Sequence, residues 1–165
     1  MLMIRSSRRI GLQSDPKSTG WFDFRHIVQE EEVDAQQHVH NLRYLQWTLW
    51  AARDHNAATG WDAAEALSRG MGWVVREHEI TFRVAAIAGQ EIIIRTWVSE
   101  VGRYASTRKC LICRPADRKV LCRASTRWVF IDLWKHRALE IPSAAIDGHA
   151  VLADPPPLPW DPPAR

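Results

Sequence analysis

Hydrophobic and polar positions alternate with a period of two along most of the chain, which predicts a protein built mainly of β-strands. The first such stretch runs from Trp21 to Val33, and the acidic run Glu30–Glu32 is expected to be its solvated end. The same period returns after residue 72 and predicts four more strands: Trp73–Val84, Glu91–Glu100, Tyr104–Arg114 and Lys119–Asp132. The turns between the later strands are short, so neighbouring strands are expected to pair antiparallel.

A helical period separates the first strand from the others. Four apolar residues are spaced three, four and three apart, as one face of a helix requires: Leu42, Leu45, Leu49 and Ala52. Tyr44, Trp47 and Trp50 place apolar groups on the other sides, so this helix is expected to be buried, with one flank open to a partner chain. Gly60 is a plausible end of the helix, and residues 61–69 predict a short second helix.

The order of these elements predicts one α+β domain. Residues 1–19 are basic and then polar, and we expect them to form a flexible tail. Residues 146–165 form a proline-rich tail, which leaves residues 20–145 for the folded domain. The proline-rich tail could be a ligand for a proline-binding module, but a packed or disordered terminus is the preferred interpretation.

Composition narrows the classes of function. The 165 residues are 46% apolar and 25% charged, which is ordinary for a globular domain with its own core. Part of the net charge of +3 lies in the N-terminal tail, so it is a weak argument for nucleic-acid binding, and none is expected. There is no run of 18 apolar residues and no apolar signal segment at the start, so we expect a cytoplasmic protein without a membrane partner.

The three cysteines do not predict a structural role for disulfides or metals. Cys110 and Cys113 form a C-x-x-C pair within one predicted strand. Residues three apart in a strand point to opposite faces, so these two thiols are not expected to share a metal ion. His26 and His78 also lie on predicted strand faces and are expected to be structural.

The densest cluster of reactive side chains comes directly before the long helix. It begins at Asp34 and contains Gln36, Gln37, His38 and His40. A carboxylate beside the free N–H groups of a helix N-terminus can act as a nucleophile or base while those groups polarise a carbonyl. By spacing alone, Asp34 could equally cap the helix. The D-x-x-x-H-x-H pattern could also bind a metal, but no further ligand is evident and no metal is expected.

The segment Asp34–Trp47, DAQQHVHNLRYLQW, resembles the D-x-x-x-H-V-N-N-x-x-Y-L-x-W signature of hotdog-fold thioesterases. Versions of this signature occur in the 4-hydroxybenzoyl-CoA thioesterase-like family and in the plant acyl-ACP thioesterases. Later stretches, ITFRVAAIAGQEIIIRTWV and RASTRWVFID, resemble the family in the same order, so the resemblance covers roughly residues 21–142. It implies the hotdog fold, in which a five-stranded antiparallel sheet wraps around a central helix and two subunits join their sheets edge to edge.

The resemblance also implies a reaction, the hydrolysis of an acyl-CoA or acyl-carrier-protein thioester. Asp34 would be the catalytic carboxylate, as nucleophile or general base, and backbone N–H groups near His40 would polarise the carbonyl. His38 matches the signature histidine and Asn41 its last asparagine, and both are expected to be catalytic. Expected substrate contacts are Gln36, Gln37, His40 and Tyr44. No cofactor beyond the carrier portion of the substrate is implied, and the protein is expected to be a homodimer or homotetramer.

The chain departs from the family at several positions. Gln37 stands where many bacterial members have glycine, and His40 replaces the first asparagine of the signature. The acidic and cysteine positions of the plant enzymes fall near Ala85 and Ala86, which leaves Asp34 as the main acid–base candidate. Two alternatives stay open, a hotdog hydratase or dehydratase and a non-catalytic protein that binds acyl thioesters. Six arginines could include a clamp for the carrier phosphates: Arg76, Arg83, Arg103, Arg108, Arg123 and Arg127.

Overall fold

The computed structural model of the chain describes residues 15–162. The strands are β1 (Trp21–Ile27), β2 (Met71–Phe82), β3 (Glu91–Val101), β4 (Ala105–Arg114), β5 (Lys119–Asp132) and β6 (Arg137–Ala138). The helices are α1 (Pro16–Thr19), α2 (Asn41–Ala58) and α3 (Ala63–Ser68). Most of the basic tail expected at the N-terminus, residues 1–14, lies outside the described residues.

The five long strands form one antiparallel sheet in the order β1-β3-β4-β5-β2, and the short β6 pairs with β5. Helix α2 packs on one face of this sheet, which is called the inner face below. The core between them consists of aromatic side chains from α2 and small or branched side chains from the strands. The prediction of an α+β protein with an antiparallel sheet around a central helix is therefore confirmed.

The side of α2 that faces the sheet differs from the prediction. The buried positions are Tyr44, Trp47, Thr48, Ala51, Ala52 and His55. Of the predicted apolar face only Ala52 is buried, whereas Leu42 is 65% exposed and Leu45 and Leu49 are half-buried. The prediction was wrong because α2 is apolar on almost every side, so its period alone does not select a face. The aromatic side chains Tyr44 and Trp47 also have polar atoms, and these form hydrogen bonds with Ala86, in the segment after β2, and with Glu32, in the turn before α2.

The strand boundaries follow the sequence pattern closely, with one exception. The predicted bounds of β5 are the observed ones, and the others differ by one or two residues. Strand β1, however, ends at Ile27 rather than at Val33, and Glu30–Glu32 form a 3-10 turn. The expectation that all three glutamates are solvated was wrong for Glu32, which is only 4% exposed. Its carboxylate is buried because three hydrogen-bond donors surround it.

The outer face of the sheet is covered by the C-terminal segment. Leu152, Leu158 and Trp160 pack against a cluster that includes Trp97 and Cys113. Cys110 belongs instead to the inner core, so the prediction that the two thiols of the C-x-x-C pair point to opposite faces is confirmed. None of the helices within residues 15–162 has the length and apolar character required to cross a membrane.

Candidate functional site

The loop between β1 and α2 is closed by backbone hydrogen bonds. Val33 and Val39 form an isolated antiparallel bridge. The Asp34 N–H donates to the His38 carbonyl at 2.8 Å, and the Gln37 N–H donates to the Asp34 carbonyl at 3.0 Å. Gln37 adopts a φ of 64°, in the left-handed region that favours glycine. A glutamine therefore occupies a backbone conformation that glycine adopts without strain.

The Asp34 carboxylate is anchored through one of its two oxygens. Its Oδ1 accepts the Gln36 N–H at 2.8 Å. Within residues 15–162 no group donates to Oδ2, and the side chain is half-buried. Asp34 therefore holds a fixed orientation and still presents an oxygen with free lone pairs.

Asp34 lies in a shallow groove beside the first three turns of α2. Its wall combines apolar side chains with charged and polar ones. The lining residues are Glu31, Val33, Asp34, His40, Leu42, Arg43, Leu45, Gln46 and Leu49. The groove therefore joins a free carboxylate oxygen to an apolar surface, as the binding of an acyl group beside a reactive carboxylate requires.

The N-terminus of α2 is capped by His40 rather than by Asp34 or Asn41. The His40 Nδ1 accepts the Leu42 N–H at 3.2 Å, and its carbonyl accepts the Arg43 N–H at 2.8 Å. In the described part of the chain no group accepts the Asn41 N–H. This N–H is thus an unsatisfied donor at the positive end of the helix dipole.

The structure distributes the predicted site residues among three environments. Asp34 and His40 line the groove. Gln36, Gln37, His38 and Asn41 are exposed on the loop and at the helix start, outside the groove lining. Tyr44 lies in the core, where its hydroxyl accepts the Ala86 N–H at 2.8 Å and burial raises its pKa. Tyr44 therefore fixes the position of α2 against the segment after β2.

Glu32 is a structural centre of the site that the sequence analysis missed. Its Oε1 accepts the indole N–H of Trp47 at 2.8 Å. Its Oε2 accepts the Gln29 N–H at 2.8 Å and lies 2.7 Å from the Nε2 of His26. Burial alone would raise the pKa of Glu32, but the hydrogen bonds from His26, Gln29 and Trp47 outweigh it and hold the pKa below its ordinary value. The only local signal was the Gln29-x-x-Glu32 spacing of a capping box.

The described residues do not assemble a metal site. No three or more His, Cys, Asp or Glu side chains within residues 15–162 converge in a way that could hold a metal ion. His38 and His40 belong to the same short loop, but His40 uses its Nδ1 to cap α2. The described residues of the groove therefore offer the chemistry of a carboxylate, that of Asp34, close in the chain to the N-terminus of α2.

Comparison with known proteins agrees with this class of fold. The profile of the thioesterase-like superfamily matches residues 28–151, which is most of the chain. The chain therefore belongs to the thioesterase-like superfamily, and it has the hotdog fold that its sequence pattern indicates. A search of curated protein sequences returned no significant match.

Several solved structures share the fold at low sequence identity. A 1,4-dihydroxy-2-naphthoyl-CoA thioesterase from Synechocystis superposes with a TM-score of 0.74 at 18% identity, over 78% of this chain and 95% of the other. A DHNA-CoA thioesterase from Staphylococcus aureus gives a TM-score of 0.69 at 17% identity, over 73% and 80% of the two chains. A 4-hydroxybenzoyl-CoA thioesterase variant in complex with 4-hydroxybenzoyl-CoA gives a TM-score of 0.74 at 19% identity, over 79% and 99%.

Proposed function

We propose that this protein hydrolyses an acyl thioester, releasing a free acid and a thiol. The observation that carries the proposal is the half-buried Asp34 carboxylate, anchored through one oxygen and free at the other, in an apolar groove at the start of α2. A thioester needs little more, because the thiolate is a good leaving group. Membership of the thioesterase-like superfamily supports the same reaction.

Asp34 would act in one of two ways. As a nucleophile, its oxygen attacks the carbonyl carbon, the C–S bond breaks and the thiolate leaves, and water then hydrolyses the mixed anhydride. As a general base, Asp34 takes a proton from water, whose oxygen attacks the carbonyl instead. In both routes negative charge develops on the carbonyl oxygen. The unsatisfied N–H of Asn41 would stabilise that charge.

The other residues of the loop would support the Asp34 carboxylate and the Asn41 N–H. The side chains of His38 and Asn41 are exposed, and we assign them to the catalytic set as groups that orient Asp34 or the attacking water. Gln36, Gln37 and His40 would contact the thioester or its carrier. Tyr44 would contribute indirectly, because its hydrogen bond to Ala86 holds α2 in place.

The substrate would be a CoA thioester or an acyl-carrier thioester. Half-buried Leu45 and Leu49, with exposed Leu42, provide an apolar wall for the acyl group. The solved relatives include thioesterases named for 1,4-dihydroxy-2-naphthoyl-CoA and 4-hydroxybenzoyl-CoA, which favours CoA as the carrier. The three unpaired, buried cysteines suit a reducing compartment, so we propose that the reaction takes place in the cytoplasm.

The active form would contain two or four chains. Strand β2 is at one edge of the sheet and is 12 residues long, so it offers an extended row of unpaired backbone groups. Leu42 and Phe82 are large apolar side chains that are 65% and 45% exposed, and a second copy would cover them. Light scattering should give two or four times the chain mass of 19.0 kDa. A stable monomer at assay concentrations would contradict this assignment.

The test of function is thiol release from a panel of acyl-CoA and acyl-carrier thioesters. Asp34→Asn and Asp34→Ala should each lower kcat by about 10² or more, because they remove the only oxygen assigned as base or nucleophile. Neither should unfold the protein, because Asp34 is not in the core. Glu30→Gln is the matched control, since it neutralises an exposed carboxylate of the same segment that does not line the groove.

Three outcomes would contradict the proposal. Full activity in both Asp34 variants would remove Asp34 from the mechanism. Addition of water to an enoyl thioester without thiol release would indicate the hydratase alternative. Tight binding of acyl-CoA with no turnover of any substrate would indicate a binding protein.

A further inference from the structure

A second cavity of about 570 Å³ lies between the C-terminal half of α2, α3 and the inner face of the sheet. Its walls include Trp61, Trp73 and Trp128, together with Arg108 and His149. The volume is in the range of small-molecule binding sites. Asn56 follows Asn41 by 15 positions along α2, a rise of about 22 Å. This cavity is therefore remote from the unsatisfied N–H of Asn41, although Leu49 contributes to both walls.

The unusual group in this cavity is the Arg108 guanidinium, which is only 6% exposed. Its Nη1 donates to the Nδ1 of His55 at 2.8 Å and to the Oγ1 of Thr96 at 3.3 Å. Its Nη2 donates to the Oδ1 of Asn56 at 2.8 Å. A guanidinium has five N–H groups, so two of them have no acceptor within residues 15–162. All three acceptors that it does have are neutral.

Within the described part of the chain, no carboxylate forms an ion pair with Arg108. The Nδ1 of His55 accepts a hydrogen bond from the guanidinium, so that ring is neutral. Burial and the nearby guanidinium lower the pKa of His55 to about 2 and that of His149 to about 4. The one carboxylate in the lining is Asp62, which is exposed and accepts the Glu65 N–H at 2.9 Å to cap α3. Arg53, the other charged group in the lining, is a second cation and is exposed at the surface.

The wall of the cavity adds one further unsatisfied donor. The indole N–H of Trp128 is buried without an acceptor in the described chain. A buried cation with unused N–H groups is costly unless an anion approaches it. The apolar tryptophan rings around it suit a ligand whose remaining atoms are apolar.

We propose that this cavity binds an organic monocarboxylate with an apolar alkyl or aryl body. The carboxylate accepts the two unused N–H groups of Arg108, because its two oxygens match the planar guanidinium. The apolar body packs against Trp61, Trp73 and Trp128. One negative charge balances one positive charge, whereas a phosphate dianion would remain uncompensated in these apolar walls. The site does not depend on the proposed hydrolysis at Asp34.

The first test uses the unmodified protein and three ligands of equal length: octanoate, octan-1-ol and octylamine. Isothermal titration calorimetry at pH 7 measures each affinity, and the fluorescence of the cavity tryptophans gives a second readout. Octanoate should bind at least about tenfold more tightly than octan-1-ol, as expected for hydrogen bonds to a charged group. Octylamine should bind more weakly still. Equal affinity for octanoate and octan-1-ol, or no binding of octanoate, would overturn the proposal.

The second test removes the guanidinium. Arg108→Met should lower the affinity for octanoate at least about tenfold and leave that for octan-1-ol unchanged or higher. Lys109→Met is the matched control, because it removes the adjacent cation of β4, which points to the opposite face of the sheet. Unchanged octanoate binding in Arg108→Met would overturn the assignment.

A third variant covers the case in which Arg108→Met fails to fold. Ala57 is an exposed residue of α2 in the cavity lining, so Ala57→Trp would fill the entrance without disturbing the core. This variant should lose octanoate binding. Retained binding would place the ligand elsewhere and overturn the proposal. None of these readouts requires hydrolysis, so a failure here is distinct from a failure of the proposed function.

Discussion

The buried carboxylate of Glu32 accepts a hydrogen bond from the indole N–H of Trp47 at 2.8 Å. The Glu32 carbonyl accepts the N–H of His40, the residue that caps α2, at 2.9 Å. Glu32 thus joins the middle of α2 to its N-terminus, and it lies two residues before Asp34. The position of the proposed reactive carboxylate therefore depends on a second carboxylate that is buried and fully hydrogen-bonded.

Replacing Glu32 with glutamine should destabilise the fold. Glu32→Gln removes the charge and places an amide NH₂ where His26, Gln29 or Trp47 now meets an acceptor. Loss of hydrogen bonds to a charged group corresponds to a decrease of about 1.5–3 kcal/mol in the free energy of unfolding. Urea denaturation at pH 7 measures this quantity. Glu31→Gln, the exposed neighbour, should change it by less than about 0.5 kcal/mol, and equal effects of the two variants would refute the role of Glu32.

The difference in stability between the unmodified protein and Glu32→Gln should depend on pH. The pKa of Glu32 in the fold is below its ordinary value of 4.5. Above pH 4.5 the carboxylate is ionised in both states and its hydrogen bonds stabilise the fold fully. As the pH falls below about 4.5 the unfolded chain takes up the proton first, so the advantage over Glu32→Gln should shrink. A difference that stays constant down to pH 3 would be inconsistent with the lowered pKa.

The buried ring of His55 should make the protein sensitive to milder acid. Burial and Arg108 lower its pKa from 6.5 to about 2, so the folded protein keeps this ring neutral while the unfolded chain protonates it below pH 6.5. The free energy of unfolding should therefore fall with decreasing pH, by up to about 1.4 kcal/mol per pH unit for this one proton.

His55→Gln isolates this contribution, because glutamine can still accept the hydrogen bond from Arg108. Urea denaturation of both proteins between pH 6 and pH 5 gives the two slopes. The slope of the variant should be smaller by about 1.4 kcal/mol per pH unit as pH 5 is approached. The contribution of His149 cancels, because both proteins contain it. Parallel curves would show that His55 is protonated in the fold.

The three cysteine thiols should be unreactive in the folded protein. Cys110, Cys113 and Cys122 are all buried, and burial raises the pKa of both Cys113 and Cys122 to about 12. The thiolate is the form that reacts with a thiol reagent. The native protein should therefore give no reaction with a chromogenic thiol reagent on the time scale of a thioesterase assay. The protein unfolded in guanidinium should show three thiols. Rapid reaction of any thiol in the native state would contradict this burial and would compromise the thiol-release assay.

Local patterns in the sequence were sufficient to predict the secondary-structure elements and their order. The bounds of β5 are those that alternation predicts, and the opposite orientations of Cys110 and Cys113 follow from the period of two. The position of Asp34 directly before a buried helix was also predictable, because the helical period begins just after it. These features depend only on residues close to one another in the chain.

Contacts between residues distant in the chain decided which polar groups are buried and which face of α2 packs inward. Glu32 is buried because Trp47, 15 residues later, provides a donor, and an isolated acidic run gives no sign of this. The inward face of α2 contains Tyr44 and Trp47, whose polar atoms bind Ala86 and Glu32, and the apolar period does not reveal this because apolar residues occur on nearly every side of the helix. The Arg108 site joins β4 to His55, 53 residues earlier, and to Asn56. The sequence by itself determined secondary structure, because periodicity is local, whereas only the tertiary structure decided which polar groups are buried together, because each needs a partner from elsewhere in the chain.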